Sequence, residues 1–178
     1  PSRAIDARLQ LLPSSRALKH GARVRFHQGT SEVLGRVALA AVLPQPGGDG
    51  LAPPGQGAEI PPGADAYVRL RLEAPAVLAR GDRFIVRAYS PPITIGGGLV
   101  LDPLPDRGPI RTEASRRRFE ALDPARAATP QEAADRALAA LVSARGAAGL
   151  ALHAVVWRLG AAPDEVPALV ERQASAGT

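Results

Sequence analysis

Apolar and polar residues alternate through most of the first hundred positions of the chain. In AIDARLQLL, residues 4–12, every second side chain from Ile5 onward is apolar, and Asp6, Arg8 and Gln10 take positions between them. A period of two residues is typical of a β-strand with one face in a core and the other in solvent. The segment RVRFHQG, residues 23–29, shows the same alternation, so both segments predict half-buried strands.

Four more segments complete a set of six predicted strands. They are SEVLGRVALAAVL (31–43), AYVRLRLEAPAVL (66–78), GDRFIVRAYS (81–90) and TIGGGLVLD (94–102). The first of them is almost continuously apolar, which is typical of a strand covered on both faces. Residues 43–65 are rich in Pro and Gly and predict a long surface loop. Several short strands separated by turn signals predict a β-barrel or a β-sandwich.

The pattern changes from strand to helix after Pro103. The segment PIRTEASRRRFEALDP, residues 109–124, predicts a connecting helix. Its consecutive arginines, Arg116–Arg118, are separated by steps of about 100° on a helix and form no single flat patch. We therefore expect them on a solvated face, with RNA contact as the alternative. The boundary between two modules is predicted at about 104–110.

A second helix is marked by its capping residues. In TPQEAADRALAALVSARG, residues 129–146, Thr129 is placed to cap the helix and Glu132 completes a capping box. Its apolar stripe is predicted at Ala137, Leu138, Leu141 and Val142. Two short helices follow, at 150–160 and 163–177, and a tight turn containing glycine joins them. This arrangement is typical of a helix-turn-helix.

Three consecutive glycines, Gly96–Gly98, raise the question of a phosphate-binding loop. A P-loop requires Lys and then Ser or Thr directly after its last Gly, followed by a helix, whereas LVLD continues here as a strand. A dinucleotide-binding turn requires a helix at the same place. Glycine inside a strand usually marks a bulge or the close approach of another backbone. The triplet is therefore predicted to make room for neighbouring main chain and to let the last strand close a barrel.

Composition and motifs argue against several classes of function. The chain has no cysteine, which excludes disulfides, Cys-based zinc sites and thiol catalysis, and which fits a cytoplasmic protein. It has no run of about 18 apolar residues, so no membrane span is predicted. The histidines (His20, His27 and His153) lack metal-ligand spacing, and Ser90 lacks the setting of a nucleophile elbow. We expect solvated acidic residues, no catalytic residue, no metal and no bound cofactor.

Positive charge is concentrated near the start of the chain. The net charge is +5, and residues 1–46 contain seven Lys or Arg but only Asp6 and Glu32, a difference that equals the whole excess. A localised basic excess is typical of a protein that binds a polyanion. The alternative is a modest charge excess that only keeps the protein soluble.

Two stretches of the chain resemble a known family. LKHGARVRFHQGTSEVLGRVAL (18–39) and GDRFIVRAYSPPITIGGGLVLDP (81–103) resemble the third domain of bacterial selenocysteine-specific elongation factors. The most specific runs are 27–37 and 89–103. That domain is a six-stranded barrel like domain III of elongation factor Tu. The resemblance covers about residues 1–104 and extends more weakly to 105–178, which resembles the linker and first winged-helix repeat of the family.

The resemblance implies a mainly β fold with a division of labour. It implies a barrel at 1–104, a linker helix at 105–128 and a partial, all-α winged-helix module at 129–178. In this family an N-terminal G domain binds GTP and Mg²⁺ and hydrolyses the GTP. The barrel helps to hold the acceptor and T-stem region of selenocysteyl-tRNA. Later winged helices bind the selenocysteine-insertion hairpin of the mRNA on the ribosome. We accordingly expect a cytoplasmic, monomeric, non-enzymatic C-terminal fragment that binds this tRNA and reaches the hairpin only through other parts of its parent protein.

A candidate RNA-binding set follows from strand geometry and from the resemblance together. Double-stranded RNA is bound mainly through phosphates and 2′-hydroxyls. Alternate residues of a strand stand roughly 6–7 Å apart, at about 3.3 Å per residue, which is comparable with phosphate spacing. The predicted set is Lys19, His20, Arg23, Arg25, His27 and Arg36, the last of which lies in a matching family run. Arg69 and Arg71 alternate in the same way, and such alternation is also typical of any solvated barrel face.

Two other functions remain open from the sequence. A DNA-binding regulator would use residues 125–178 as its reader, with Arg158 and Arg172 among its contacts. Its recognition helix would begin at the acidic stretch 163–165, which repels a phosphate backbone, whereas recognition helices usually begin with polar or basic residues. A purely structural barrel that docks onto another protein domain would show negligible affinity for tRNA.

Overall fold

Eight strands precede four α-helices in the computed structural model, which describes residues 1–44 and 58–175. The strands are β1 (Ser2–Leu11), β2 (Leu18–Lys19), β3 (Arg23–Gln28), β4 (Ser31–Val42), β5 (Glu59–Ile60), β6 (Asp65–Ala76), β7 (Arg83–Ala88) and β8 (Thr94–Asp102). The helices are α1 (Glu113–Leu122), α2 (Pro130–Arg145), α3 (Leu152–Leu159) and α4 (Val166–Ser175), with 3₁₀ turns at Pro124–Arg126 and Gly146–Ala148. Most of the loop predicted at 43–65 lies outside the described residues. No helix in the described ranges has both the length and the apolar character needed to cross a bilayer.

Six strands form a closed antiparallel barrel in the order β1–β6–β4–β3–β7–β8. Strand β8 closes it by pairing with β1 on one side and β7 on the other. Strands β2 and β5 form a separate two-stranded sheet, which the pattern did not predict because two residues are too few to show a period. The predictions of a six-stranded barrel and of an all-α module after it are both confirmed.

The barrel interior is built from the apolar positions of the alternating strands. In β1 these positions, Ile5, Ala7, Leu9 and Leu11, are at most 1% exposed, as the alternation predicts. Phe26 of β3 meets Phe84 of β7 across the interior, with ring centroids 5.0 Å apart. Each such large side chain contributes about 1.5–3 kcal/mol of hydrophobic stabilisation on burial. Strand alternation therefore accounts for most of the core.

The glycine triplet lies inside β8, between β1 and β7. A Cβ atom on Gly98 would overlap the carbonyl oxygen of Arg8 and lie 2.6 Å from Cζ of Phe84, and one on Gly97 would lie 2.9 Å from the carbonyl oxygen of Phe84. Such separations are shorter than real side chains tolerate. The prediction that these glycines make room for neighbouring main chain is confirmed, and no helix follows them.

The helices pack on part of the outer surface of the barrel and form a second apolar core with it. Tyr67 of β6 stacks on Phe119 of α1 at a centroid distance of 5.2 Å, and Leu101 of β8 belongs to the same cluster. Helix α2 contributes the buried residues Ala133, Ala137, Leu138 and Leu141. The prediction that Val142 completes this stripe is wrong, because its position on α2 leaves it 39% exposed. The division into segments 1–104, 105–128 and 129–178, and the winged-helix assignment, stay predictions.

The same covered surface contains a buried network of charges. Arg69 binds Asp6 through two hydrogen bonds, of 2.7 and 2.9 Å, and Arg118 of α1 binds both Asp6 (2.8 Å) and Asp102. Arg158 of α3 donates to Asp102 at 2.7 and 3.3 Å. Burial raises the pKa of the Asp6 carboxyl, and the two guanidinium groups oppose that effect.

This network corrects three expectations. The acidic residues are not all solvated, since Asp6 and Asp102 are fully buried. Arg69 points away from the interior as predicted but is only 8% exposed, because the chain after β8 covers it. Of the three consecutive arginines expected on a solvated face, Arg118 instead turns toward the barrel, where two carboxylates bind it.

The cap predicted for α2 is present with one difference. The hydroxyl of Thr129 accepts a hydrogen bond from the backbone N–H of Glu132 at 3.1 Å. The Glu132 carboxylate accepts from the N–H of Ala128 at 2.8 Å, one residue before the position that a capping box uses. Thr112 caps α1 in the same manner, so both helices begin where side chains satisfy their first N–H groups.

Candidate nucleic-acid interface

Five arginines project from the part of the barrel that the helices leave uncovered. Arg36 of β4 lies directly opposite Arg23 of β3 and also directly opposite Arg71 of β6, and Arg25 of β3 lies opposite Arg87 of β7. We call these five residues the arginine face. Opposed side chains on neighbouring strands have Cβ atoms only about 4.5–5.5 Å apart, and like charges in such pairs are destabilising. The arginine face therefore concentrates positive charge at a cost in stability.

The structure brings part of the predicted RNA-binding set onto this surface. Arg23, Arg25 and His27 share the outer side of β3, and Arg36 joins them from β4. Lys19 is exposed on β2, in the small sheet beside the barrel. Whether these side chains contact RNA stays a prediction.

His20 has a different environment from the other members of the predicted set. Its Nδ1 accepts a hydrogen bond from the backbone N–H of Leu39 at 3.1 Å and lies 2.8 Å from Nη2 of Arg111. Partial burial lowers the pKa of His20, and the charges of Arg111 and Arg71 lower it further. A neutral imidazole that accepts both bonds anchors this turn to β4 and adds no charge to the surface.

Two carboxylates lie among the arginines. Glu73 of β6 accepts two hydrogen bonds from Arg23, from Nε at 2.8 Å and from Nη2 at 2.7 Å. Glu32 of β4 binds Nη1 of Arg25, and its second oxygen lies 3.4 Å from Nε2 of His27. These hydrogen bonds from arginine lower the pKa of both carboxyl groups, so both are ionised at neutral pH.

Tyr89 adds an aromatic ring to the arginine face. The guanidinium carbon of Arg23 lies 4.5 Å from its ring centroid and that of Arg25 lies 5.7 Å from it, within the range of cation–π interaction. Nε of Arg25 also donates to the carbonyl oxygen of Tyr89 at 3.2 Å. Sequence reasoning missed this role because Tyr89 lies beyond the end of β7, where no strand period indicates its direction.

The remaining three arginines of the face form no ion pair within the described parts of the chain. Arg36 donates to the carbonyl oxygen of Gly21 at 3.2 Å, and Arg71 is exposed beside it. Arg87 is half-buried, and its Nε has no hydrogen-bond partner among the described residues. Arg87 was outside the predicted set, although the alternation of GDRFIVRAYS, with Phe84 and Val86 inward, already indicates that it points outward.

The helical module offers fewer accessible basic side chains to DNA than the DNA-binding alternative requires. Arg158 is 2% exposed and bound to Asp102, so it is not available to contact a nucleic acid. Arg172 lies 3.5 Å from Asp135 of α2. Residues 163–165 form a turn, and the expected recognition helix begins only at Val166. One of the two contacts expected of a DNA-binding regulator is therefore internal to the structure.

Comparison with known proteins links the barrel to translation. The family model described as "Selenocysteine-specific elongation factor, beta-barrel domain" matches residues 5–107, which include β3, β4, β6 and β7. A selenocysteine-specific elongation factor from Desulfomicrobium baculatum is 31% identical to the chain over 105 residues. The matched segment is 58% of this chain and spans only 14% of the length of that relative.

Proposed function

Because the chain belongs to the family of selenocysteine-specific elongation factors, we propose that its barrel contributes to binding selenocysteyl-tRNA through the arginine face. The observation that carries this proposal is the row formed by Arg23, Arg36 and Arg71 on three neighbouring strands, with Arg25 and Arg87 beside it. Guanidinium groups bind phosphate in a planar, two-pronged geometry. A row of them suits a ligand with regularly spaced phosphates.

The duplex arm of the tRNA is the part that fits this surface. Double-stranded RNA offers phosphates and 2′-hydroxyls along a regular helix and is recognised mainly by shape. The arginine face is built on strands, whose backbone hydrogen bonds hold the arginine backbones in fixed positions. Such a surface selects for the spacing of phosphates and requires no contact with base edges.

We assign the helical module the role of connecting the barrel to the parts of the parent protein that bind the mRNA hairpin. This assignment is supported by the shared apolar core and by the charge network of Asp6, Asp102, Arg69, Arg118 and Arg158. A connection that is packed on the barrel holds the two RNA-binding parts at a defined separation, which a flexible linker does not.

Salt-dependent binding of a selenocysteine tRNA transcript tests the tRNA proposal. Each lost phosphate contact lowers the slope of log K against log salt by about 0.7–0.9. We expect Arg36→Ala with Arg71→Ala to weaken binding and to lower the slope by about 1.4–1.8. The matched control is Arg107→Ala with Arg172→Ala, which removes the same charge from exposed positions outside the arginine face.

Two results would contradict the proposal. If both double variants weaken binding equally, only net charge matters and the arginine face has no special role. If the unmodified chain shows no salt-dependent affinity for the transcript, the barrel acts as a docking domain for another part of the protein.

A further inference from the structure

We propose that Glu32 and Glu73 are internal competitors of RNA, occupying Arg25 and Arg23 until phosphates displace them. The inference rests on the proposed function of the arginine face and adds a regulation of that site. It predicts that the five arginines are unequal. Phosphates can bind Arg36, Arg71 and Arg87 without displacing a carboxylate. To bind Arg23 or Arg25, a phosphate must first displace the carboxylate partner of that arginine.

The geometry of Arg23 makes the competition direct. Glu73 accepts from Nε and Nη2, which together form the edge that a guanidinium group uses for two-pronged binding of an anion. The guanidinium carbon of Arg23 also lies over the ring of Tyr89, 4.5 Å from its centroid. A phosphate that binds Arg23 through that edge must therefore take the place of the Glu73 carboxylate.

Arg25 is held in a comparable way. Its Nη1 binds Glu32 and its Nε donates to the carbonyl oxygen of Tyr89 at 3.2 Å, so two of its three nitrogen atoms are engaged. The other oxygen of Glu32 faces His27. Displacement of Glu32 consequently frees Arg25 and also removes the carboxylate that lies against His27.

The competition has a consequence for the salt dependence of binding. A free arginine that neutralises a phosphate releases the cation condensed on it. When Arg23 exchanges Glu73 for a phosphate, the ionised carboxylate is left unpaired and attracts a cation from solution, so less net release follows. The contacts of Arg23 and Arg25 therefore contribute less to the salt slope than those of the three unpaired arginines.

Replacement of the two carboxylates tests the inference. We expect Glu32→Gln with Glu73→Gln to lower the Kd for the selenocysteine tRNA transcript by roughly 2- to 30-fold, the range that the loss of two exposed ion pairs produces. The slope should become steeper by up to about 1.4–1.8. The control is Asp164→Asn with Glu171→Gln, which raises the net charge equally at two exposed positions, one in the turn before α4 and one on α4, that have no ion pair among the described residues.

A second comparison separates displacement from a general charge effect. In the unmodified chain, Arg23→Ala with Arg25→Ala should change the slope of log K against log salt little. In the chain that already carries Glu32→Gln and Glu73→Gln, the same two substitutions should lower that slope by about 1.4–1.8. Far-UV circular dichroism and thermal unfolding of each variant establish that the fold is retained.

The outcomes distinguish this inference from the proposed function. The proposed function stands if the unmodified chain binds the transcript and Arg36→Ala with Arg71→Ala weakens that binding. If the two Gln substitutions then leave the affinity unchanged or reduce it, the carboxylates serve to orient the arginines and the inference is wrong. The inference is also wrong if Glu32→Gln with Glu73→Gln raises the affinity no more than the control substitutions Asp164→Asn and Glu171→Gln do. Absence of binding by the unmodified chain overturns the proposed function itself.

Discussion

Arg69 and Arg71 stand two positions apart on β6, point to the same side of the barrel and have opposite surroundings. Arg69 is 8% exposed, paired with Asp6 and hydrogen-bonded to the carbonyl oxygens of Asp106 and Gly108. Arg71 is exposed, and within the described residues it pairs with no carboxylate. The chain after β8 covers Arg69 and leaves Arg71 exposed. One arginine is therefore bound within the structure, and the other remains exposed on the surface, where we propose that it binds phosphate.

Gly98 provides a test at the scale of one residue. Gly98→Ala would place a methyl group against the carbonyl oxygen of Arg8 and the ring of Phe84. We expect it to lower the free energy of unfolding by about 1–3 kcal/mol, because β8 must move to relieve the overlap. Urea denaturation measures the change. Gly108→Ala, where a Cβ meets nothing within 4 Å, should change it by about 0.5 kcal/mol or less, and equal effects would show that the close approach is unimportant.

At the scale of elements, α1 shows how one helix serves both the surface and the interior. Arg117 has a side chain that is 75% exposed and pairs with Glu113 one turn earlier. The next residue, Arg118, is 18% exposed and reaches Asp6 and Asp102 on the barrel. The step of about 100° between neighbours on a helix predicts that they diverge. Only the packing of α1 decides which of them is buried.

Substitution of each arginine by alanine measures this difference. Arg118→Ala removes one partner from two buried carboxylates, and we expect a loss of about 3–5 kcal/mol in the free energy of unfolding. Arg117→Ala should cost about 0.5 kcal/mol or less, since it breaks only an exposed pair. Both are read from denaturant titration. If the two substitutions lower the free energy of unfolding equally, the bonds of Arg118 to the buried carboxylates stabilise the protein no more than the exposed pair of Arg117 does.

For the molecule as a whole, Asp102 is the residue through which the barrel holds two helices. It ends β8 and binds Arg118 of α1 and Arg158 of α3. Arg80, in the loop before β7, adds hydrogen bonds to the carbonyl oxygens of Leu122 (2.8 Å) and Leu159 (3.2 Å). Together with the shared apolar core, these contacts set the orientation of the helical module on the barrel.

Asp102→Asn tests whether that orientation depends on charge. The substitution leaves Arg118 with Asp6 alone and leaves Arg158 without a carboxylate, so we expect about 3–5 kcal/mol of destabilisation. Hydrogen exchange should show α3 losing protection before β3 does, since the barrel core is intact. Asp106→Asn, which removes the carboxylate from the pair with Arg145, is the control. Uniform loss of protection in both elements would contradict a local role for Asp102.

The sequence by itself determined the barrel strands, the role of the glycine triplet, the cap of α2 and the family, because each depends on residues close together in the chain. Strand alternation also placed Arg23, Arg25 and His27 on the outer side, whereas Arg36 entered the predicted set through the family resemblance. Only the tertiary structure decided which outward residues are covered and which arginines carry a carboxylate. Arg69 meets Asp6, and Arg23 meets Glu73, across large separations in sequence. A local period fixes the direction of a side chain, but its burial and its partner depend on distant segments that folding brings together.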